Sequence, residues 1–307
     1  MTNEHYPTNL KVILAFAAIY IIWGSTFYAV HIALQSFPPF LLSSLRFLIA
    51  GLVLLVYCII KKEKLPSAAD IRKNALCGLA LFIGGVVTVV WAQQYISSSL
   101  ASIIITTPFW FVVLDKRQWP YYFSSKWIIA GLITGLVGVI LLLGFKKGRA
   151  GSADDYMQLL SILCMIGGSF LWVSGSLYLK YNPSKTSAYV NTSIQLLSAG
   201  IFCLAISLFR KEPQQLIIST IRTNAAIALG YLSIISTLIT FMAFVWLIKV
   251  RPPAMVSTYS YVNPVVAVLL GWGFAGETIS SLQIIALLII LGGVLLVNLP
   301  RYKQSGL

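Results

Sequence analysis

The sequence is short of charge. Asp, Glu, Lys and Arg make up 10% of its 307 residues, against about 25% in a soluble domain. Histidine is scarcer still, with His5 in the N-terminal tail and His31 near the end of an apolar stretch. There is no His/Asp/Glu cluster, no Cys–His pair and no phosphate-binding loop, so the converging groups that an enzyme needs are missing. Cys58, Cys77, Cys164 and Cys203 are widely spaced within apolar stretches. They read as small packing residues, and neither a disulfide framework nor a metal site follows from them. The N-terminus lacks the pattern of a cleavable signal peptide, and its first apolar stretch is long enough to stay as a helix. Gly131, Gly135 and Gly138 lie in an apolar run with no strand before them. They form a close-packing helix face rather than a nucleotide fingerprint. No cofactor is implied.

Hydrophobic residues, in contrast, make up 58% of the chain. This is the composition of a polytopic, all-α membrane protein whose solvent is the lipid bilayer. A spanning helix needs about 20 mainly apolar residues. Ten such segments can be read. They are Val12–His31, Phe40–Ile60, Ala75–Ile96, Ser99–Leu114, Trp127–Gly144, Met157–Leu179, Ala188–Phe209, Ala225–Ile248, Ala254–Phe274 and Leu282–Leu299. The net charge of +14 would suggest nucleic acid in a soluble protein. Here its placement gives a different account. With the N-terminus inside, the outer segments hold only Lys146, Lys147, Arg149, Arg210, Lys211 and Arg222, and nearly all the other Lys and Arg residues are inner. The positive-inside rule then puts both termini in the cytoplasm, and no nucleic-acid partner is needed.

The chain repeats itself. Ser44–Leu55 (SLRFLIAGLVLL) aligns with Ser193–Leu204 (SIQLLSAGIFCL), which pairs Ala50-Gly51 with Ala199-Gly200 and Arg46 with Gln195. Trp23 pairs with Trp172 at the same offset. Five segments is an odd number, so the second copy enters the membrane from the opposite side. The expected architecture is two inverted five-helix repeats, residues 12–144 and 157–299, with a site near the midplane. Two polar-lined segments carry a central proline, Pro108 in the first half and Pro264 in the second. Proline cannot donate its backbone hydrogen and clashes with the carbonyl four residues back. In hydrocarbon such a helix must pack in protein or border a wet cavity, so both prolines are candidate hinges.

Trp23-Gly24-Ser25-Thr26-Phe27, Arg46-Phe47, Pro108, Pro264 and Gly276-Glu277, in that order across about Leu14–Val297, resemble the EamA-type members of the drug/metabolite transporter superfamily. The resemblance implies ten transmembrane helices, cytoplasmic termini and a central cavity between the halves. It also implies a place in the bacterial inner (plasma) membrane and export of small metabolites by alternating access. Many relatives keep an acidic residue after the fourth helix as well as after the ninth. Here the position matching Glu277 falls at Tyr121 or Tyr122, which puts any role for both acids in doubt. Small multidrug exporters of the same superfamily use a glutamate within the first helix; the first segment here has no acid.

Candidate substrate-binding residues are Trp23, Ser25, Thr26, Arg46, Trp91, Gln94, Trp110, Trp172, Tyr259 and Asn263. Arg46 is the one clear intramembrane charge, at an insertion cost of about 2.5–3.5 kcal/mol. Two readings of it stay open: attraction of an anionic or carboxylate-bearing substrate, or snorkelling to the outer interface. Asn263, beside Pro264, needs a partner on another helix or on a ligand. The tryptophans and Tyr259 could wall an aromatic pocket or only pack and anchor. Glu277 could cap the helix that follows it. The expected function is secondary transport of a small-molecule substrate, amino acids or related compounds or drugs among the classes that fit. A channel or an integral-membrane enzyme is the alternative, and a homo-oligomer is left open.

Overall fold

The computed structural model describes residues 9–96, 101, 104–105, 108–143, 153–182, 184, 186–275 and 281–304. The described residues form helices and short connections, with no strand among them. The principal helices are α1 (Asn9–Ala33), α2 (Pro39–Ile60), α3 (Ala68–Ala92), α4 (Pro108–Leu114), α5 (Lys126–Leu143), α6 (Ala153–Tyr181), α7 (Ala188–Phe209), α8 (Thr223–Val250), α9 (Tyr259–Ala275) and α10 (Ser281–Gln304). A short turn of helix, Pro253–Val256, leads into α9. Seven stretches among the described residues are long and apolar enough to cross a membrane: α1, α2, α3, α7, α8, Tyr156–Tyr181 and Pro253–Phe274. Shorter apolar stretches lie in α5 and α10. Large apolar side chains such as Leu52, Ile59, Ile201, Phe209 and Leu295 point outward, as expected where the surrounding solvent is hydrocarbon rather than water.

Several ends differ from the sequence expectation. The third segment starts earlier and stops at Ala92, because Ser67 and Asp70 form a capping box that begins α3 well before its apolar run. The proposed kinked segment Ser99–Leu114 is described only in part. Ile105 is not helical, and Pro108 is the first residue of α4 rather than its middle. A proline is tolerated there because the first turn has no use for its missing N–H. Gly276 and Glu277 lie outside the described residues, so the proposed cap of α10 does too.

The helices pair across the chain. α2 lies against α7, α5 against α10, α3 against α6, and α1 against both α8 and α9. The α2–α7 crossing is reciprocal atom by atom. Ser44 Oγ donates to the Gly200 carbonyl at 3.1 Å, and Ser193 Oγ donates to the Gly51 carbonyl at 3.0 Å. A Cβ added to Gly51 would stand 2.9 Å from Leu197 Cγ, and one added to Gly200 would stand 2.9 Å from Leu48 Cγ. Small residues let two helices approach closely, and the buried hydroxyls then reach the facing backbone.

α3 and α8 share another device. Each contains a nine-residue π-helical stretch, Leu79–Val87 in α3 and Tyr231–Ile239 in α8. Each stretch follows a glycine (Gly78, Gly230) and ends before a threonine (Thr88, Thr240). The threonine hydroxyls donate back to carbonyls of the wide turns, Thr88 to Gly84 and Thr240 to Ile235. Such stretches recur at functional sites because they re-aim side chains within a continuous helix.

Gly51→Val and Gly200→Val should each lower stability by about 1–3 kcal/mol through overpacking of the α2–α7 crossing. Thermal unfolding in detergent measures this, and the two reciprocal variants should lose similar amounts.

Candidate functional site

The π stretches frame a cavity. Its walls come from α1 (Trp23, Thr26), α2 (Arg46), α3 (Phe82, Gln93), α6 (Trp172), α8 (Ser236, Thr237, Phe241) and α9 (Tyr259, Asn263). Ile105, just before α4, also faces it. The cavity offers about 90 Å³ of room for water-sized molecules, which is space for about three waters.

Arg46 is 4% exposed and sits in the wall. Its guanidinium turns toward α8 instead of snorkelling to an interface. Nε donates to Thr237 Oγ1 at 2.5 Å and Nη2 donates to Ser236 Oγ at 3.0 Å. Both acceptors lie in the π stretch of α8. The chain of hydroxyls has one consistent direction. Thr26 donates to the Ile22 carbonyl at 2.9 Å, so Ser236 donates to Thr26 across 2.8 Å and accepts from Arg46. The Ser236 carbonyl also accepts from Trp23 Nε1 at 3.1 Å.

One end of the cavity is closed by aromatic rings. Trp23 meets Tyr259 and Trp172 edge-on, at centroid distances of 4.8 and 5.6 Å, and lies tilted against Phe244 at 5.3 Å. Phe82 packs on Phe241 at 4.8 Å and on Phe47 at 5.1 Å. Tyr20 joins α1 to the start of α9 through a 2.7 Å bond to Thr258. Beyond this layer lies a second, polar compartment of about 320 Å³. The N-terminal part of α3 (Lys73, Asn74), the end of α6 (Asn182), the start of α7 (Asn191, Gln195) and the end of α8 (Lys249) enclose it. Its amides form a chain. Gln195 Nε2 donates to Asn74 Oδ1 at 3.0 Å, and Asn74 Nδ2 donates to Asn191 Oδ1 at 2.9 Å.

Of the candidate binding residues, the structure brings Trp23, Thr26, Arg46, Trp172, Tyr259 and Asn263 to the cavity wall. It does not bring four others there. Ser25 turns to the Ile22 carbonyl and to Tyr231 Oη, at 2.8 and 2.6 Å. Trp91 stacks edge-on with Tyr95, and Gln94 is exposed and bonds back to the Trp91 carbonyl. Gln93, in the turn that ends α3, faces the cavity in place of Trp91 and Gln94. Trp110 packs on Phe170 at 5.6 Å. Sequence reasoning also missed Phe82, Ser236, Thr237 and Phe241. The hydroxyl pair Ser236-Thr237 within an apolar run was the available signal.

A further acid was missed near Tyr121 and Tyr122. Asp115, buried after α4, accepts from Tyr122 Oη at 3.1 Å and from Tyr181 Oη at 2.6 Å. Burial, then the nearby Asp115 carboxylate, hold the Tyr122 phenol well above its usual pKa. This contact clasps the connection after α4 to the end of α6.

Thr237→Val keeps shape and removes an acceptor from a buried cation. It should cost about 1–3 kcal/mol of stability, read by thermal unfolding; no loss would mean that the Arg46–Thr237 bond contributes little.

Comparison with known proteins agrees with this architecture. The EamA-like transporter family matches residues 10–144 and again 159–299. The Escherichia coli (strain K12) protein described as "Uncharacterized inner membrane transporter YedA" is 33% identical, over 94% of this chain and 90% of its own length. The Bacillus subtilis protein described as "Uncharacterized transporter YvbV" is 26% identical, over 97% of this chain and 94% of its own. A crystal structure at 18% sequence identity superposes with a TM-score of 0.71, covering 95% of this chain and 98% of that one, and shows the same fold. A helical exterior rich in apolar side chains, and two family matches spanning nearly the whole sequence, place the chain in the EamA-like transporter family as a multi-pass membrane transporter.

Proposed function

We propose that the chain is a secondary transporter that moves small metabolites, amino acids and related compounds or drugs among them, outward across the bacterial inner membrane by alternating access. The observation that carries this reading is the pair of compartments at opposite ends of α3, separated by one aromatic layer. In the offset that aligns Gly51 with Gly200, Arg46 corresponds to Gln195. Arg46 faces the cavity and Gln195 faces the polar vestibule. Equivalent positions thus line compartments on opposite sides, which is what two inverted five-helix repeats, residues 12–144 and 157–299, would produce. The reciprocal α2–α7 contacts support the same arrangement.

In this reading the vestibule opens to the cytoplasm, where the positive-inside rule puts both termini. Rocking of the two halves about the α2–α7 crossing exchanges access between vestibule and cavity. With room for only a few waters, the cavity must widen to accept an organic solute, so the rings around Trp23 and Phe241 act as the gate. Pro264 within α9, and the break in helix before Pro108, serve as hinges. Trp23, Thr26, Arg46, Trp172, Tyr259 and Asn263 are the substrate contacts. The whole pathway lies within one chain, so a homo-oligomer would only multiply it. No catalytic constellation is involved in this scheme.

Counterflow in liposomes tests the reading. Vesicles preloaded with an unlabelled metabolite mixture should accumulate labelled members of that mixture faster than empty vesicles. Simple equilibration without trans-stimulation would instead indicate a channel. Pro264→Ala should insert normally and slow this exchange; an unchanged rate would remove the hinge from the mechanism.

A further inference from the structure

Among the described residues the cavity wall carries one formal charge, Arg46, and no counter-ion for it. We infer that the transported solute is an organic anion: a carboxylate on an aromatic or apolar body, with no need of an ammonium group. This deepens the transporter reading and rests on it.

The argument starts from Arg46. Two of its three nitrogens bond to neutral hydroxyls, while Nη1 is buried without a partner. A cation taken out of water is costly unless it is paired. Among the described residues no Asp or Glu lines the cavity. The acids whose side chains are described are held or placed elsewhere. Asp115 accepts from two tyrosines. Glu212 accepts from Leu41 N at 2.7 Å at the start of α2. Asp70 belongs to the capping box of α3, and Glu63 lies by the groove near Leu65 and Pro66. The protein therefore provides a desolvated cation and leaves the balancing charge to the occupant.

Two further buried atoms of the wall extend the specification. Trp172 Nε1 is a donor with no partner, and Asn263 Oδ1 is an acceptor with none. With Arg46 Nη1 they offer two donors and one acceptor, a set that suits the two oxygens of a carboxylate and leaves one place for a hydroxyl or amide hydrogen. The rings of Trp23, Phe82, Phe241 and Tyr259 supply the apolar contact for the body. A solute ammonium would enter a space that already holds a cation and no carboxylate, so its desolvation would go uncompensated. The vestibule has the same bias. Among the described residues Lys73 and Lys249 line it against one carboxylate, Asp70, which already accepts from Ser67 Oγ at 2.6 Å. Such a field draws anions toward the entrance.

The test is a charge series on one body: 3-phenylpropionate, phenylalanine and phenethylamine, with 3-phenylpropanamide as the neutral control. Binding to the purified full chain is read by tryptophan fluorescence, since Trp23 and Trp172 face the cavity. Saturable binding of 3-phenylpropionate is expected, at least about tenfold tighter than phenylalanine or the amide, with none for phenethylamine. Arg46→Gln should weaken the anion by about ten- to a hundredfold, and Arg46→Lys should recover part of that loss. Equal or tighter binding of phenylalanine or phenethylamine would overturn the inference, as would absence of saturable 3-phenylpropionate binding to monodisperse wild type. The ligand series on the wild type decides the matter even if both variants misfold. The two readings fail separately. Counterflow of a cation or zwitterion without anion binding would sink the anion and keep the carrier, whereas anion binding without any counterflow would do the reverse.

Discussion

The close crossing of α2 and α7 is the contact on which the rest of the structure depends. Gly51 and Gly200 remove the side chains that would hold the helices apart. Ser44 and Ser193 then reach the opposite backbone. Without a hydrophobic drive between helices in lipid, close packing and interhelical hydrogen bonds of this kind must supply the association. Because the contact is the same in both directions, it fixes α2 and α7 against each other symmetrically. It thereby sets where Arg46 and Gln195 can point.

From that fixed crossing an asymmetry follows. α2 carries a cation, Arg46, toward one compartment, and α7 carries an amide, Gln195, toward the other. The cation is met by hydroxyls of the α8 π stretch, and the amide by Asn74 on α3. The wide turns matter here. They bring Ser236 and Thr237 into one cluster with Trp23, Thr26 and Arg46, and they bring Phe82 and Phe241 into tilted ring contact in the layer between the compartments. The cavity is thus a local consequence of two irregular helices packed beside a regular pair.

Much of this could be read from the residues. Ala50-Gly51 and Ala199-Gly200 announced the crossing, and the scarcity of charge announced the bilayer. Arg46 and Asn263 stood out because polar groups are rare in such helices, and both reach the cavity. The failures have physical causes. Trp91 lies in the last turn of α3 while Gln93 and Gln94 lie in the turn after it, and the phase in which the helix ends decides which of them faces the cavity. That phase is altered by a π stretch that hydropathy does not register. Ser25 has the same chemistry as Thr26, but Tyr231 claims it. Pro108 resembled Pro264 in context, yet it begins a helix instead of bending one, since breaks in the chain leave no periodic mark. Asp115 was passed over because its partners, Tyr122 and Tyr181, are brought to it by the fold.

The central claim is that the two compartments open in turn. Spin labels on exposed positions test it directly, in a background lacking the four native cysteines. One pair, Gln35→Cys with Gln94→Cys, spans the ends of α1 and α3 beside the cavity. The other, Asn182→Cys with Lys249→Cys, spans the vestibule rim. Distance distributions would be recorded in lipid nanodiscs with and without a solute mixture that supports counterflow. The account predicts opposite changes, one pair lengthening as the other shortens. Two pairs that stay fixed, or that move in the same direction, would contradict it.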